Sequence, residues 1–107
     1  MSRFVRVARL DDIPPGARML VDLDEETVVI FNVDGNLYCI ADICTHDGGP
    51  LADGELEGCE IICPRHGARF DIQTGAVLSM PAVTPVPAYA VKIKDDGVYV
   101  ELPAETW

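Results

Sequence analysis

The sequence predicts an all-β fold built from short antiparallel strands, and three observations support this fold class. Short segments that alternate polar and apolar residues, or that are rich in β-branched residues, recur along the chain. Glycine-containing turns such as Asp34-Gly35-Asn36 and Asp95-Asp96-Gly97 separate neighbouring segments. No segment keeps the periodicity of an amphipathic helix.

The predicted elements follow one another without a linker or an internal repeat. Residues 10–16, which include Ile-Pro-Pro-Gly, are predicted to form a loop with room for one helical turn. Residues 80–87 contain three prolines, which exclude a regular central strand. A chain of 107 residues has the length of one domain, so residues 1–107 are predicted to form a single domain. The predicted strands are residues 3–7, 19–23, 27–33, 36–41, 68–72, 76–78, 89–94 and 98–102.

The charge balance excludes one class of partner. Eighteen acidic residues against eight Lys and Arg give a net charge of −10, which repels the phosphate backbone of a nucleic acid. The acidic surface therefore serves solubility, or docking to a basic face on another protein, or both.

The lengths of the apolar segments and the number of cysteines bear on the cellular compartment of the protein. Uninterrupted apolar stretches are only a few residues long, and the N-terminus lacks the pattern of a signal peptide. We therefore expect a cytoplasmic protein that has no membrane partner. In that reducing environment four cysteines are metal ligands or buried small hydrophobes rather than disulfides.

The chemistry is concentrated in residues 44–67, which hold five of the nine glycines and both histidines. Each histidine follows a cysteine closely, in Cys44-Thr45-His46 and in Cys63-Pro64-Arg65-His66. One such pair would be an ordinary loop histidine beside a small buried thiol. Two pairs in one glycine-rich stretch favour metal ligation, because glycine lets the backbone approach a bound object closely.

Two kinds of metal centre suit two cysteines and two histidines. They could hold one zinc ion in a structural module, or a 2Fe-2S cluster in which two thiolates bind one iron and two imidazoles bind the other. Zinc fingers usually place both histidines on a helix, whereas here each loop supplies one ligand of each kind. The pattern favours the cluster, and the zinc module is the alternative.

These residues resemble the Rieske ferredoxins, and most closely the ferredoxin components of bacterial aromatic-ring dioxygenase systems. The resemblance covers nearly the whole chain and is carried by Cys-Thr-His-Asp-Gly-Gly-Pro-Leu and Cys-Pro-Arg-His-Gly-Ala-Arg-Phe-Asp. It implies a Rieske fold: an antiparallel β-sandwich-like base with a small inserted cluster-binding subdomain, here about residues 43–67. It also implies that residues 80–87 form a third wall over the cluster. By the same resemblance, one 2Fe-2S cluster is bound by Cys44, Cys63, His46 and His66, with the cysteines on the inner iron and the histidines on the outer.

The function that follows is electron transfer. Two thiolate ligands leave the oxidised cluster neutral, so adding one electron is easier than with four thiolates. All iron positions are filled, which leaves no place for a substrate and indicates a carrier rather than an enzyme. The resemblance implies a flavin-dependent NAD(P)H reductase as donor and a terminal oxygenase as acceptor. The small subunit of an NAD(P)H-dependent nitrite reductase shares this fold and is a second alternative.

Residues around the cluster refine the resemblance. Rieske proteins of quinol-oxidising complexes carry an inter-loop disulfide and two donors, a serine and a tyrosine, that bond the cluster sulfurs. The matching positions here are Gly49, Arg65, Ala68 and Phe70, none of which makes those interactions. A quinol oxidase role is therefore not expected, and the reduction potential should be low.

Several residues near the motifs are not expected to bind metal. Cys39 is predicted to be a buried strand thiol, and Cys59 to be partly exposed. The carboxylates at positions 47, 53, 55 and 57 form a solvated acidic rim or orient docking to a positively charged partner.

Overall fold

The predicted strands form three antiparallel sheets. The structure is a computed structural model, and it describes residues 3–23, 26–45, 48–80 and 82–102. The strands are β1 (Arg3–Arg9), β2 (Arg18–Leu23), β3 (Glu26–Val33), β4 (Asn36–Ala41), β5 (Leu56–Glu57), β6 (Glu60–Ile62), β7 (Arg69–Asp71), β8 (Val77–Ser79), β9 (Ala88–Tyr89), β10 (Val91–Lys94) and β11 (Gly97–Leu102). A single 3-10 turn at Leu10–Asp12 is the one helical element among the described residues, in the loop where the sequence predicts it.

Two of the sheets make up the base of the molecule. The first base sheet has the strand order β1-β11-β10, and the second base sheet has the order β2-β3-β4-β9. Val28 and Ile30 of β3 pack with Val98 and Val100 of β11 in one buried apolar cluster, which joins the two sheets. The base is therefore the antiparallel, sandwich-like arrangement that the sequence predicts.

The third sheet, called here the loop sheet, has the order β5-β6-β7-β8 and packs on the other side of β3. Val29 and Phe31 point away from the first base sheet and share a second buried cluster with Ile61 and Phe70 of the loop sheet. Burial on both faces explains why β3 contains a continuous run of apolar residues rather than a clean alternation.

One predicted strand differs from the structure, and two short strands were not predicted. Residues 89–94 were predicted as one strand, but β9 pairs with β4 in the second base sheet and β10 pairs with β11 in the first. The prediction was wrong because an alternating pattern does not show where a chain passes from one sheet to another, here at Ala90. The sequence prediction also missed β5 and β6, which have two and three residues and are too short for a periodicity to be seen.

The proline-rich residues have the irregular structure that the sequence predicts. Residues 80 and 82–87 contain no strand, as their prolines predict. Across residues 3–23, 26–45, 48–80 and 82–102, no helix has the length and apolar character needed to cross a membrane.

Candidate metal centre

The two Cys-His segments lie in two loops with the same backbone hydrogen bonds. In the first loop (residues 44–49), the Cys44 N–H donates to the Gly49 carbonyl oxygen at 2.7 Å. In the second loop (residues 63–68), the Cys63 N–H donates to the Ala68 carbonyl oxygen, also at 2.7 Å. Each cysteine thus bonds to the residue five positions later. The second loop follows β6 directly, and the first begins three residues after β4.

A glycine closes each loop in the same way. The Gly48 N–H donates to the Cys44 carbonyl oxygen at 2.6 Å, and the Gly67 N–H donates to the Cys63 carbonyl oxygen at 3.0 Å. Their φ angles are 78° and 77°, in the left-handed region that favours glycine. The described residues of the two loops therefore share the same backbone hydrogen bonds, with a cysteine at the first position of each.

The structure brings the two loop cysteines together in the apolar interior. Cys44 is fully buried and Cys63 is 1% exposed. Burial acts to raise the pKa of the Cys63 thiol, but hydrogen bonds from the backbone of Arg65 and His66, a hydrogen bond with Cys44 and the Arg65 charge lower it overall. A buried thiol whose pKa is lowered is suited to bind a metal as thiolate.

Of the two predicted histidine ligands, the structure describes only His66. His66 is exposed and lies in the turn that follows Cys63. His46 lies outside the described residues. Within the described ranges no group of three or more His, Cys, Asp or Glu side chains is placed to hold a metal ion. The structure therefore juxtaposes the two predicted thiolate ligands, and the histidine ligands stay a prediction.

Asp42, which sequence analysis missed, holds the end of the first loop in place. Its carboxylate accepts hydrogen bonds from the Leu51 and Ala52 N–H groups, both at 2.8 Å. Its own N–H donates to the Thr27 carbonyl oxygen at 2.9 Å, which ties it to β3. A signal was present, because an aspartate at a strand end is a common partner for nearby backbone N–H groups.

Arg18 was also missed, and it connects the base to the residues that follow the first loop. Its guanidinium donates to the carbonyl oxygens of Ala52 and Gly54, both at 2.7 Å, and lies 5.2 Å from the centre of the Phe31 ring. No sequence signal could have identified the two hydrogen bonds, since they join residues 34 and 36 positions apart.

The proline-rich segment packs beside the first loop. The Thr45 hydroxyl donates to the Thr84 carbonyl oxygen, and the Val86 N–H donates to the Gly75 carbonyl oxygen at 2.9 Å. Val83 in this segment is 81% exposed, Met80 is 79% exposed, and Ile43 beside Cys44 is 40% exposed. These three residues, called here the apolar rim, present hydrophobic surface next to the cysteine loops.

The other two cysteines have the environments that the sequence predicts. Cys39 is 1% exposed, and burial raises the pKa of its thiol to about 12. Cys59 is half-buried, and its sulfur accepts a hydrogen bond from Gln73 Nε2 at 3.4 Å. All four cysteines lie in the part of the chain that the structure describes, and none forms a disulfide.

The donor set fits an iron-sulfur cluster. Two buried thiols meet on matched loops, and the second loop also carries an exposed imidazole, so the sulfur ligands lie inside the fold and a histidine lies at its surface.

Comparison with known proteins matches the chain to one family. The family model of the Rieske [2Fe-2S] domain matches residues 3–90. The ferredoxin component of the naphthalene 1,2-dioxygenase/salicylate 5-hydroxylase systems of Ralstonia sp is 36% identical over 101 residues, which are 94% of this chain and 97% of that protein. The biphenyl dioxygenase ferredoxin subunit of Pseudomonas sp. (strain KKS102) is 35% identical over 99 residues, 92% of this chain and 91% of that protein.

Solved structures show the same similarity. The ferredoxin of carbazole 1,9a-dioxygenase from Nocardioides aromaticivorans IC177 superposes with a TM-score of 0.85 at 36% identity, over 91% of this chain and 95% of that one. A chain in a complex of reduced oxygenase and oxidized ferredoxin of carbazole 1,9a-dioxygenase gives a TM-score of 0.84 at 32% identity, over 91% of both chains. A structure named as a nitrite reductase NADPH small subunit gives a TM-score of 0.77 at 21% identity, over 92% of this chain and 97% of that one, which shows a shared fold alone.

Proposed function

Because the chain belongs to the Rieske [2Fe-2S] family, we propose that it carries single electrons from a flavin-dependent NAD(P)H reductase to the terminal oxygenase of an aromatic-ring dioxygenase system. The observation that carries this proposal is the pairing of buried Cys44 and Cys63 on two matched loops, in a chain similar over nearly its whole length to dioxygenase ferredoxins.

The proposed ligands are Cys44 and Cys63 on the inner iron and His46 and His66 on the outer iron. The burial of both cysteines and the exposure of His66 support this division. The cluster, when bound, supplies a site that gains and loses one electron. The cluster-binding subdomain is proposed to be about residues 43–67, within one domain of residues 1–107.

The residues of this chain have three tasks at that site. Hydrogen bonds and the charge of Arg65 lower the pKa of the Cys63 thiol, which favours the thiolate form that binds iron, and the apolar interior keeps water from both sulfurs. The exposed position of His66 gives an electron a short path to the surface. With every ligand used to hold the cluster, the chain is proposed to relay electrons and to convert no substrate itself.

The apolar rim is the proposed contact surface for the oxygenase. Ile43, Met80 and Val83 are exposed beside the cysteine loops, where a partner would approach the cluster most closely. Support comes from similar chains whose solved structures are complexes of a ferredoxin with an oxygenase. The cytoplasmic location is likewise proposed, from the cysteine usage.

One experiment separates a carrier from an enzyme. The purified protein is mixed with NADH, a flavoprotein reductase is then added, and bleaching of the visible cluster absorbance is followed. We expect bleaching only after the reductase is added, and reoxidation when a terminal oxygenase with its aromatic substrate and O₂ follows. Rapid reduction by NADH alone, or turnover of an organic substrate by this chain alone, would contradict the proposal.

A further inference from the structure

The Arg65 side chain crosses from the second loop to the first. Its Nη1 donates a hydrogen bond to the Pro50 carbonyl oxygen at 2.9 Å. Its guanidinium also lies against Gly49, where a Cβ atom would be 2.6 Å from Cζ, 2.7 Å from Nη2 and 2.8 Å from Nε. One side chain of the second loop therefore covers the last residue of the first loop and bonds the residue after it.

Position 49 is a glycine because the Arg65 guanidinium occupies the space that a side chain would need. Unlike Gly48 and Gly67, it does not have a positive φ, so its backbone conformation is open to any residue. The three heavy atoms nearest to the position that a Cβ would occupy all belong to the Arg65 guanidinium. The absence of a side chain at Gly49 thus leaves space for the Arg65 guanidinium, next to Pro50, whose carbonyl oxygen accepts its hydrogen bond.

The positive charge of Arg65 also affects the bound cluster. Arg65 lies in the second loop between the proposed ligands Cys63 and His66, which keeps its positive charge beside the cluster. It is the one Lys or Arg of residues 43–67, which hold five acidic residues. Reduction adds one negative charge to the cluster, and a nearby cation stabilises that charge.

We infer that Arg65 is a positioning residue that clamps the two cluster loops together and raises the reduction potential of the cluster. The fork of a guanidinium is needed for the clamp, because it bonds Pro50 while lying flat on Gly49. The positive charge of Arg65 is needed to raise the reduction potential of the cluster. The two roles can be separated because lysine keeps the charge and lacks the planar fork.

The test uses four variants: Arg65→Gln, Arg65→Lys, Gly49→Ala and a matched control, Arg69→Gln. Arg69 follows the second loop directly, but its guanidinium bonds Glu57 at 2.8 Å and lies 3.5 Å from Glu60. Two quantities are measured for each holoprotein: the reduction potential by voltammetry at low ionic strength, and the rate of loss of visible absorbance in the presence of an iron chelator.

We expect Arg65→Gln to lower the potential and to speed cluster loss roughly tenfold, the factor for one hydrogen bond to a charged group. Arg65→Lys should keep the potential near that of the wild type and still lose its cluster faster. Gly49→Ala, which keeps every charge, should also lose the cluster faster. Arg69→Gln should match the wild type in cluster loss and shift the potential less than Arg65→Gln.

Equal values of both quantities for Arg65→Gln and Arg69→Gln would overturn the inference. So would a Gly49→Ala protein that holds its cluster as long as the wild type. The inference rests on the proposed ligand set, and different results would contradict the ligand set and the Arg65 clamp. A wild-type protein without a Rieske spectrum would overturn both, whereas a wild-type spectrum with unaffected Arg65 variants would overturn the clamp alone.

Discussion

Cys39 and Cys63 are equally buried but have opposite pKa shifts. Both are 1% exposed. Burial raises the pKa of Cys39 to about 12, whereas at Cys63 backbone hydrogen bonds and the Arg65 charge outweigh burial and lower the pKa. The hydrogen-bond donors around the Cys63 sulfur, which the loop provides, therefore distinguish this thiol from that of Cys39, whose pKa burial alone raises.

Removal of either histidine should abolish the native cluster. We expect His46→Ala and His66→Ala to lose the visible absorbance and the electron paramagnetic resonance spectrum of the wild type, because no neighbour can replace the imidazole at that spacing. The matched control is the Cys39→Ala/Cys59→Ala protein, which should bind iron normally. A His66→Ala protein with the full native spectrum, or a control without cluster, would show that the ligand set is wrong.

Cys39 should make stability fall at alkaline pH. In the unfolded chain the thiol has its ordinary pKa of 9.0, and in the folded protein it holds its proton to about pH 12. The unfolded state alone loses the proton in between, so the free energy of unfolding should decrease as pH rises through this window, by up to about 1.4 kcal/mol per pH unit.

The measurement for Cys39 is urea unfolding at several alkaline pH values, for the wild type and Cys39→Ala. The pKa of Tyr89 is also raised, by burial and by its hydrogen bond to Glu26, so some alkaline loss should persist in the variant. A Cys39→Ala protein with the same pH slope as the wild type would refute the assignment.

The positions of the absent sulfur donors give a prediction for the potential. Ala68 and Phe70 are fully buried and have no hydroxyl group, so neither side chain can donate a hydrogen bond to a cluster sulfur. We expect a potential near the low end of the Rieske range, at about −150 mV. Ala68→Ser should raise it, because a donor to sulfur stabilises the reduced state. Voltammetry that returns a strongly positive wild-type value would point to another donor.

At the scale of elements, the site depends on loops that are held from outside the motifs. Asp42 follows β4 directly and accepts hydrogen bonds from two backbone N–H groups beyond the first loop. Arg18 of β2 donates hydrogen bonds to the carbonyl oxygens of Ala52 and Gly54. The first loop is thus fixed to the base at its far end and to the second loop by Arg65.

Replacing Asp42 should destabilise the fold. In Asp42→Ala the N–H groups of Leu51 and Ala52 lose their acceptor, and an unsatisfied donor near the interior costs about 1 to 3 kcal/mol. We expect Asp42→Asn to lose less, since its amide oxygen can still accept. Asp11→Ala is the control, because Asp11 is exposed and forms only a 3.9 Å surface ion pair with Arg9. Urea midpoints equal for Asp42→Ala and Asp11→Ala would refute this role.

The sequence predicted those elements whose signal is local. Residues 36–41 match β4 at both ends, because alternation and an Asp34-Gly35 turn lie side by side in the chain. The change of sheet at Ala90 could not be predicted, since it depends on strands β4 and β11 that lie far away in sequence. The site divides in the same way: the motif cysteines were found from spacing, whereas Arg18 contacts Ala52 across 34 positions and leaves no local pattern.

At the scale of the whole molecule, the charges are unevenly placed. Five of the eight basic residues lie in β1 and β10 of the first base sheet. The proposed cluster-binding subdomain, residues 43–67, holds five acidic residues and one basic residue, Arg65, and the whole chain has a net charge of −10. We expect the net charge of −4 on these 25 residues to attract a positively charged partner to this end of the molecule.

Electron transfer from the reductase should therefore slow as salt is added, because the Debye length falls from about 30 Å at 0.01 M to about 8 Å at physiological ionic strength. Stopped-flow mixing with reduced reductase, followed by cluster bleaching, measures the second-order rate. We expect Asp53→Asn/Glu55→Gln to reduce both that rate at low salt and its salt dependence. The control is Asp95→Asn/Asp96→Asn, which removes the same charge from the β10–β11 turn, where φ angles of 51° and 64° suit asparagine. A rate that does not change with salt, or equal effects of the two double variants, would show that charge does not orient the encounter.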